Sequence, residues 1–207
     1  MKICVDTDIH YYGAPYCGVD LFGPTDLDTR LHVDLGDNVE INNCRKKDKE
    51  KAMLKLKLYR ERVQISVSSN HCLDEEGAPP PDYVIKTIEG HKIMFLHGHL
   101  NSLWTTEKGR EYVHKNKPGC GWFKFQALRL LAKGRDVVPF KLKNAQRDRF
   151  YELLCDNNIK YIVMGHAHPR EVYYHTFGFG EVVIILPQGR HYLDITESGI
   201  KYLRSFK

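Results

Sequence analysis

No two cysteines in this 207-residue chain stand in a C-x-x-C spacing; the six are scattered at Cys4, Cys17, Cys44, Cys72, Cys120 and Cys155. That distribution speaks against a zinc knuckle and against a disulfide frame, and fits reduced thiols in a cytoplasmic protein. No run approaches the roughly 18 apolar residues that a membrane span requires. There is no internal repeat and no low-complexity tract, and only two tryptophans, Trp104 and Trp122, are present. The opening "MKICVDTDIH" enters a strand pattern at once and leaves no room for a secretory leader. A strong excess of one charge is also missing. The net charge of +5, with 42% apolar and 28% charged residues, is that of an ordinary globular chain. The length predicts one domain over 1–207 with a core that needs no staples.

What is present is an alternation. Strand-like runs stand at 2–10, 31–37, 63–70, 92–99, 161–168 and 181–189, and helix-length stretches at 48–62, 122–135 and 145–158. The last two stretches stop at Gly or Asn, as helices do. The tail 192–206 reads as a hairpin around Glu197-Ser198-Gly199. Residues 75–83, "EEGAPPPDY", read as a rigid polar loop. Strands alternating with helices predict an α/β protein whose functional groups sit where strands end.

The strand ends are chemically uniform. The first closes on Asp8-Ile9-His10, the second on Gly36-Asp37 and the third on Asn70-His71. The fourth closes on His97-Gly98-His99 and the fifth on Gly165-His166-Ala167-His168. Singly, such an Asp caps a helix, such an Asn makes a turn, and such a His packs. Five consecutive ends delivering carboxylate, imidazole and amide oxygen point instead to a metal. A pair at i and i+2 in extended chain would turn both side chains to one side. Hard oxygen with intermediate nitrogen donors suits Mn, Fe, Zn or Co, with no thiolate to fix the choice; the expectation is manganese, with iron, zinc, nickel and cobalt as alternatives.

Asp-x-His, Gly-Asp, Asn-His, His and Gly-His-x-His, in that order over residues 3–168 and followed by "ILPQGR" (185–190), resemble the motifs of the calcineurin-like metallophosphoesterases. The resemblance implies a four-layer α/β/β/α sandwich with a dinuclear centre on its strand-end loops. It implies two divalent ions, one held by Asp8, His10, Asp37 and His168, the other by Asp37, Asn70, His97 and His166, with Asp37 bridging. Between them a hydroxide would attack phosphorus, and His71 would stabilise charge or protonate the leaving oxygen. Two departures stand out. Cys72 follows His71 where the family carries an acid, leaving Asp74 or Glu75 as substitutes, and Glu40 stands in a second motif that has no arginine after it.

Between the fourth and fifth motifs, residues 100–160 hold thirteen Lys and Arg against six Asp and Glu. They read either as helices completing the fold or as a basic, cap-like helical insertion over a phosphorylated small-molecule substrate. His99, Arg110, His114, Lys117 and Lys124 are then the candidate substrate contacts. The resulting expectation is a phosphatase or phosphodiesterase acting on a nucleotide-like or other small anionic ester. The alternatives are a nuclease gripping DNA or RNA, an activity like that of the UDP-diacylglucosamine pyrophosphate hydrolases, and a non-catalytic scaffold.

Overall fold

The structure, a computed structural model, describes residues 1–12, 20–23, 25, 28–39, 41, 44–69, 80–98, 144–166 and 171–203. Among them ten strands form two five-stranded sheets. The first sheet contains β1 (Lys2–Thr7), β2 (Thr29–Asp34), β3 (Ile65–Ser66), β9 (Gly189–Thr196) and β10 (Gly199–Leu203), in the order β10-β9-β1-β2-β3. The second contains β4 (Tyr83–Ile88), β5 (His91–Leu96), β6 (Tyr161–Met164), β7 (Glu171–Phe177) and β8 (Gly180–Leu186), in the order β4-β5-β6-β8-β7. Strands β1, β2 and β3 run parallel, as do β5, β6 and β8. The ends that carry the motifs therefore lie on one side of each sheet.

Period-two alternation sets the layers. Ile93 and Phe95 of β5, Val163 of β6 and Ile185 of β8 share a core with Ile3, Val5, Leu31, Val33, Leu193 and Ile195 of the first sheet. The residues between them, Met94, Leu96, Ile162, Met164, Val182, Ile184 and Leu186, face the other way and pack with Leu154 and Ile159. Leu154 belongs to α2 (Asn144–Asp156), so this helix covers the second sheet. On the opposite flank α1 (Lys49–Arg60) packs through Ala52, Leu56 and Tyr59. The result is the expected α/β/β/α order. The 144–156 part of the basic segment thus completes the fold; the helix read at 122–135 lies outside the described residues.

Local chemistry explains several boundaries. α2 ends where Asn158 turns left-handed at φ 50°, with Ile159 N–H donating to Leu154 O at 3.0 Å and Asn158 N–H to Cys155 O at 3.0 Å. That is a Schellman stop, sealed by the Leu154–Ile159 apolar contact. β4 and β7 have no counterpart among the strand runs read from sequence. β4 joins β5 through Glu89-Gly90, both at positive φ, a two-residue hairpin turn whose twist matches the strands. The third strand, read over 63–70, is only two residues long.

On the outer face of the first sheet the alternation places Asp6, His32 and Asp34 beneath α1 rather than in water, and all three are buried. A polar layer inside a protein must satisfy itself. Asp6 accepts from Arg190 Nε at 2.8 Å and Nη2 at 2.9 Å, and from the Tyr59 hydroxyl at 3.0 Å; His32 Nε2 lies 2.8 Å away. Arg190 and Asp6 are cross-strand partners in the β9–β1 register, and Asp6 and Asp34 in the β1–β2 register.

Candidate metal centre

Asp8 follows directly on β1, and Asp37 lies three residues beyond β2. His97 follows directly on β5, and His166 lies two residues beyond β6. Backbone hydrogen bonds zip the first two loops together: Asp8 N to Gly36 O at 3.1 Å, His10 N to Asp37 O at 2.9 Å and Tyr11 N to Asn38 O at 2.9 Å. Two further bonds tie the sheets to each other at this point. His166 N donates to Asp8 Oδ2 at 2.8 Å, and His97 Nδ1 is 2.8 Å from Leu35 O.

The side chains converge in two trios that share one residue. Ligand atoms of Asp8, His10 and Asp37 lie within 4.8 Å of one another, and so do those of Asp37, His97 and His166. Donors bound to one ion at about 2.0–2.2 Å stand no more than about 4.4 Å apart, so each trio closes on an ion with small side-chain shifts. Asp8, His10, Asp37 and His97 are buried and His166 is half-buried. His97 Nδ1–H donates to Leu35 O, which leaves Nε2 facing Asp37 Oδ2 at 3.0 Å. A carbonyl-anchored imidazole turned toward a carboxylate is the arrangement by which proteins present histidine to a metal. Carboxylate and imidazole in both trios fit a divalent cation of the Mn-to-Zn series.

The route to convergence differs from the extended i, i+2 geometry expected from sequence. Asp8, His10, Asp37 and His166 sit at φ 52°, 55°, 55° and 65°, in the left-handed region beyond the strands. Non-glycine residues there cost on the order of 1–3 kcal/mol each and persist where the surroundings hold them. Asp34 supplies part of that hold. Its Oδ1 accepts from Gly36 N at 2.8 Å and from Asn38 Nδ2 at 2.6 Å, shaping the turn that presents Asp37. Burial pushes the Asp34 carboxyl above the usual carboxylate range, against Arg60 and these hydrogen bonds.

Glycine at 165 is a steric requirement. A Cβ there would collide with Thr7 Oγ1 and stand 2.8 Å from Asp8 Oδ2. Gly165→Ala is expected to destabilise the fold by about 1–3 kcal/mol and to weaken metal binding, read by urea denaturation and metal titration of the same sample.

A third trio, Cys4, Asp6 and His32, has similar spacing but different chemistry. The Arg190 guanidinium already occupies Asp6, and burial pushes the Cys4 thiol far up, so a cation has no place there. Asp6, Asp34 and Asn38 are supporting residues that the motifs did not indicate, and Arg190 closes the "ILPQGR" segment, which carried no role of its own in the sequence. The available signal was carboxylate inside apolar strand runs, "CVDTD" and "VDLGD". Of the predicted site residues, Asn70, His71, His99, Arg110, His114, Lys117, Lys124 and His168 lie outside the described residues, as do Glu40, Cys72, Asp74 and Glu75.

No family model matches the chain, and no curated protein matches it. Among solved structures it is similar to Vps29 of Entamoeba histolytica complexed with zinc, at 12% identity and a TM-score of 0.42, covering 99% of this chain and 98% of that one. It is also similar to a predicted phosphoesterase of Streptococcus pneumoniae, at 14% identity and a TM-score of 0.38 over 99% and 97% of the two chains. A Thermotoga maritima protein aligns at 14% identity and a TM-score of 0.45 over 100% and 99%. These likenesses bear on neither activity nor partners. On its own residues, the chain shows the two-sheet α/β architecture and the strand-end convergence of Asp and His for which its sequence resembles the calcineurin-like metallophosphoesterases.

Proposed function

We propose that this protein is a divalent-metal-dependent phosphoesterase acting on a small phosphorylated anion. One observation carries the reading: Asp37 belongs to both trios, so its carboxylate can serve two ions at once. Asp8 and His10 complete one trio, and His97 and His166 the other. In this reading His168 joins the first set and Asn70 the second. His71 faces the leaving group, with His99, Arg110, His114, Lys117 and Lys124 toward the substrate; their motif and segment positions support these roles. Two ions bound there supply a water of lowered pKa and neutralise the phosphoryl oxygens. Manganese is the first choice, with iron, zinc, nickel and cobalt behind it.

Metal-stripped protein refilled in turn with Mn, Co, Ni, Zn and Mg, and assayed on p-nitrophenyl phosphate and bis-p-nitrophenyl phosphate, tests this. Hydrolysis that appears only with added metal is the expected outcome, and the faster ester identifies monoesterase or diesterase. Protein that binds metal yet hydrolyses neither these esters nor a panel of nucleotides would overturn the reading.

A further inference from the structure

Helix α1 carries a surface for which phosphoester hydrolysis has no use. Its inner side is spent on the core through Ala52, Leu56 and Tyr59. Leu54 and Leu58, one turn apart on the outward side, are 58% and 41% exposed. Lys51 and Lys55 of α1 flank these leucines on one side at helical spacing, with Lys47 in the turn before the helix and Arg62 just after it. The far flank holds Glu50, Lys57 and Glu61. Residues 45–62 hold nine Lys and Arg against three Asp and Glu, a net +6 that exceeds the +5 of the whole chain. Two of the flanking cations are held in place. Lys55 Nζ sits 4.1 Å from the Phe22 ring centroid, and Arg62 Nη1 donates to Phe22 O at 3.1 Å.

We propose that this face docks the protein peripherally on an anionic phospholipid surface. Leu54 and Leu58 would enter the headgroup–acyl boundary while the four flanking cations meet lipid phosphate and carboxylate. Two exposed leucines edged by lysines match the apolar and anionic sides of a headgroup boundary, and each cation near an acidic membrane adds roughly a fivefold gain in binding. Nucleic acid would engage the cations but leave both leucines in water, where such proteins place aromatic rings. A protein partner would have to supply a matching pocket for a protruding helix face, whereas a bilayer deforms around it. Because the inner side stays packed, docking needs no unfolding of α1.

Co-sedimentation of the full chain with vesicles of phosphatidylcholine, alone or with about 30% phosphatidylserine, tests the proposal. Binding should require phosphatidylserine and fall steeply between about 0.1 and 0.5 M salt. Leu54→Ser/Leu58→Ser and, separately, Lys51→Ser/Lys55→Ser should each weaken it by about tenfold or more, with unchanged thermal midpoints reporting intact folds. No binding to acidic vesicles would overturn the proposal. So would binding that ignores the leucine change, since that is adsorption of a basic chain, or binding that survives loss of both lysines. An RNA oligomer bound as tightly as the vesicles, and indifferent to the leucines, would mark a general polyanion surface and overturn it as well.

Discussion

Asp37→Asn is expected to remove metal from both trios and to lower phosphoester hydrolysis by on the order of a thousandfold or more, because the ions supply several kcal/mol of transition-state stabilisation. Asparagine is the informative replacement. Position 37 is left-handed at φ 55°, which Asn adopts readily, so the turn survives while the charge is lost. The Asp37 N–H bond to Ser69 Oγ, at 3.2 Å, does not involve the substituted group. His166→Ala provides the contrast, since His166 belongs to one trio only. Equilibrium dialysis with elemental analysis should show near-total loss of metal in the first variant and partial loss in the second. Wild-type metal content and activity in Asp37→Asn would end the shared-ligand interpretation.

Arg190→Met is expected to destabilise the fold by about 3–5 kcal/mol, because it leaves the Asp6 carboxylate buried without its main partner. Arg190 also donates to Asp20 O at 3.2 Å, Gly23 O at 3.4 Å and Leu21 O at 3.1 Å, so its loss frees the 20–23 turn too. For a chain of this size the thermal midpoint should fall by about 10 °C.

The pH dependence distinguishes this from loss of packing. Burial acts to raise the Asp6 pKa, but hydrogen bonds and charge from Arg190 and His32 outweigh it and hold the carboxyl below its usual range. With a folded pKa below the unfolded value of about 3.9, Asp6 contributes stability above about pH 4 that is lost as pH falls through the folded value. Without Arg190 burial prevails and the sign reverses. The Asp6 contribution is then greatest below about pH 4 and is lost as pH rises. The gap between wild type and Arg190→Met, measured as urea midpoints at several pH values, should therefore widen from pH 4 to pH 7. A gap constant with pH would mean that Asp6 is neutral in the native protein. Asp6→Asn in the Arg190→Met background should recover part of the loss and flatten the profile.

The two variants probe different links of one chain of cause. Asp37 belongs to the proposed metal centre, whereas Arg190 and Asp6 hold the sheet that presents it. β1 carries Asp6 and then Asp8, and β2 carries Asp34 and then the turn to Asp37. The polar layer beneath α1 therefore lies directly behind the first trio. Asn38 Nδ2 reaches the Asp6 carbonyl at 3.0 Å as well as Asp34, bonding the two loops from behind.

Much of this was legible from residue order alone. The alternation of apolar runs and helix-length stretches determined an α/β protein. The punctuation after the runs determined that Asp8, His10, Asp37, His97 and His166 stand at strand ends, because chemistry-bearing residues after a strand need only local chain to be placed there. The stop of α2 at Asn158 was equally local. The tail hairpin formed where the sequence placed it, with β9 and β10 paired across Glu197-Ser198. α1 was legible as a helix, but its buried face was not. Of its apolar residues the structure buries Ala52, Leu56 and Tyr59 and leaves Leu54 and Leu58 exposed, a choice set by what the helix packs on.

Only the tertiary structure decided how the strand ends meet. The left-handed turns at Asp8, His10, Asp37 and His166 depend on bonds between loops of different strands, which no single segment encodes. β4 (YVIKTI) and β7 (EVYYHTF) carry the β-branched and aromatic residues of strands, and the fold decides that they pair with β5 and β8. Asp6 and Arg190 are 184 residues apart and become neighbours solely through the β1–β9 register. A short motif states which donors a site has. Burial and register, which are properties of the whole chain, decide which of them face each other.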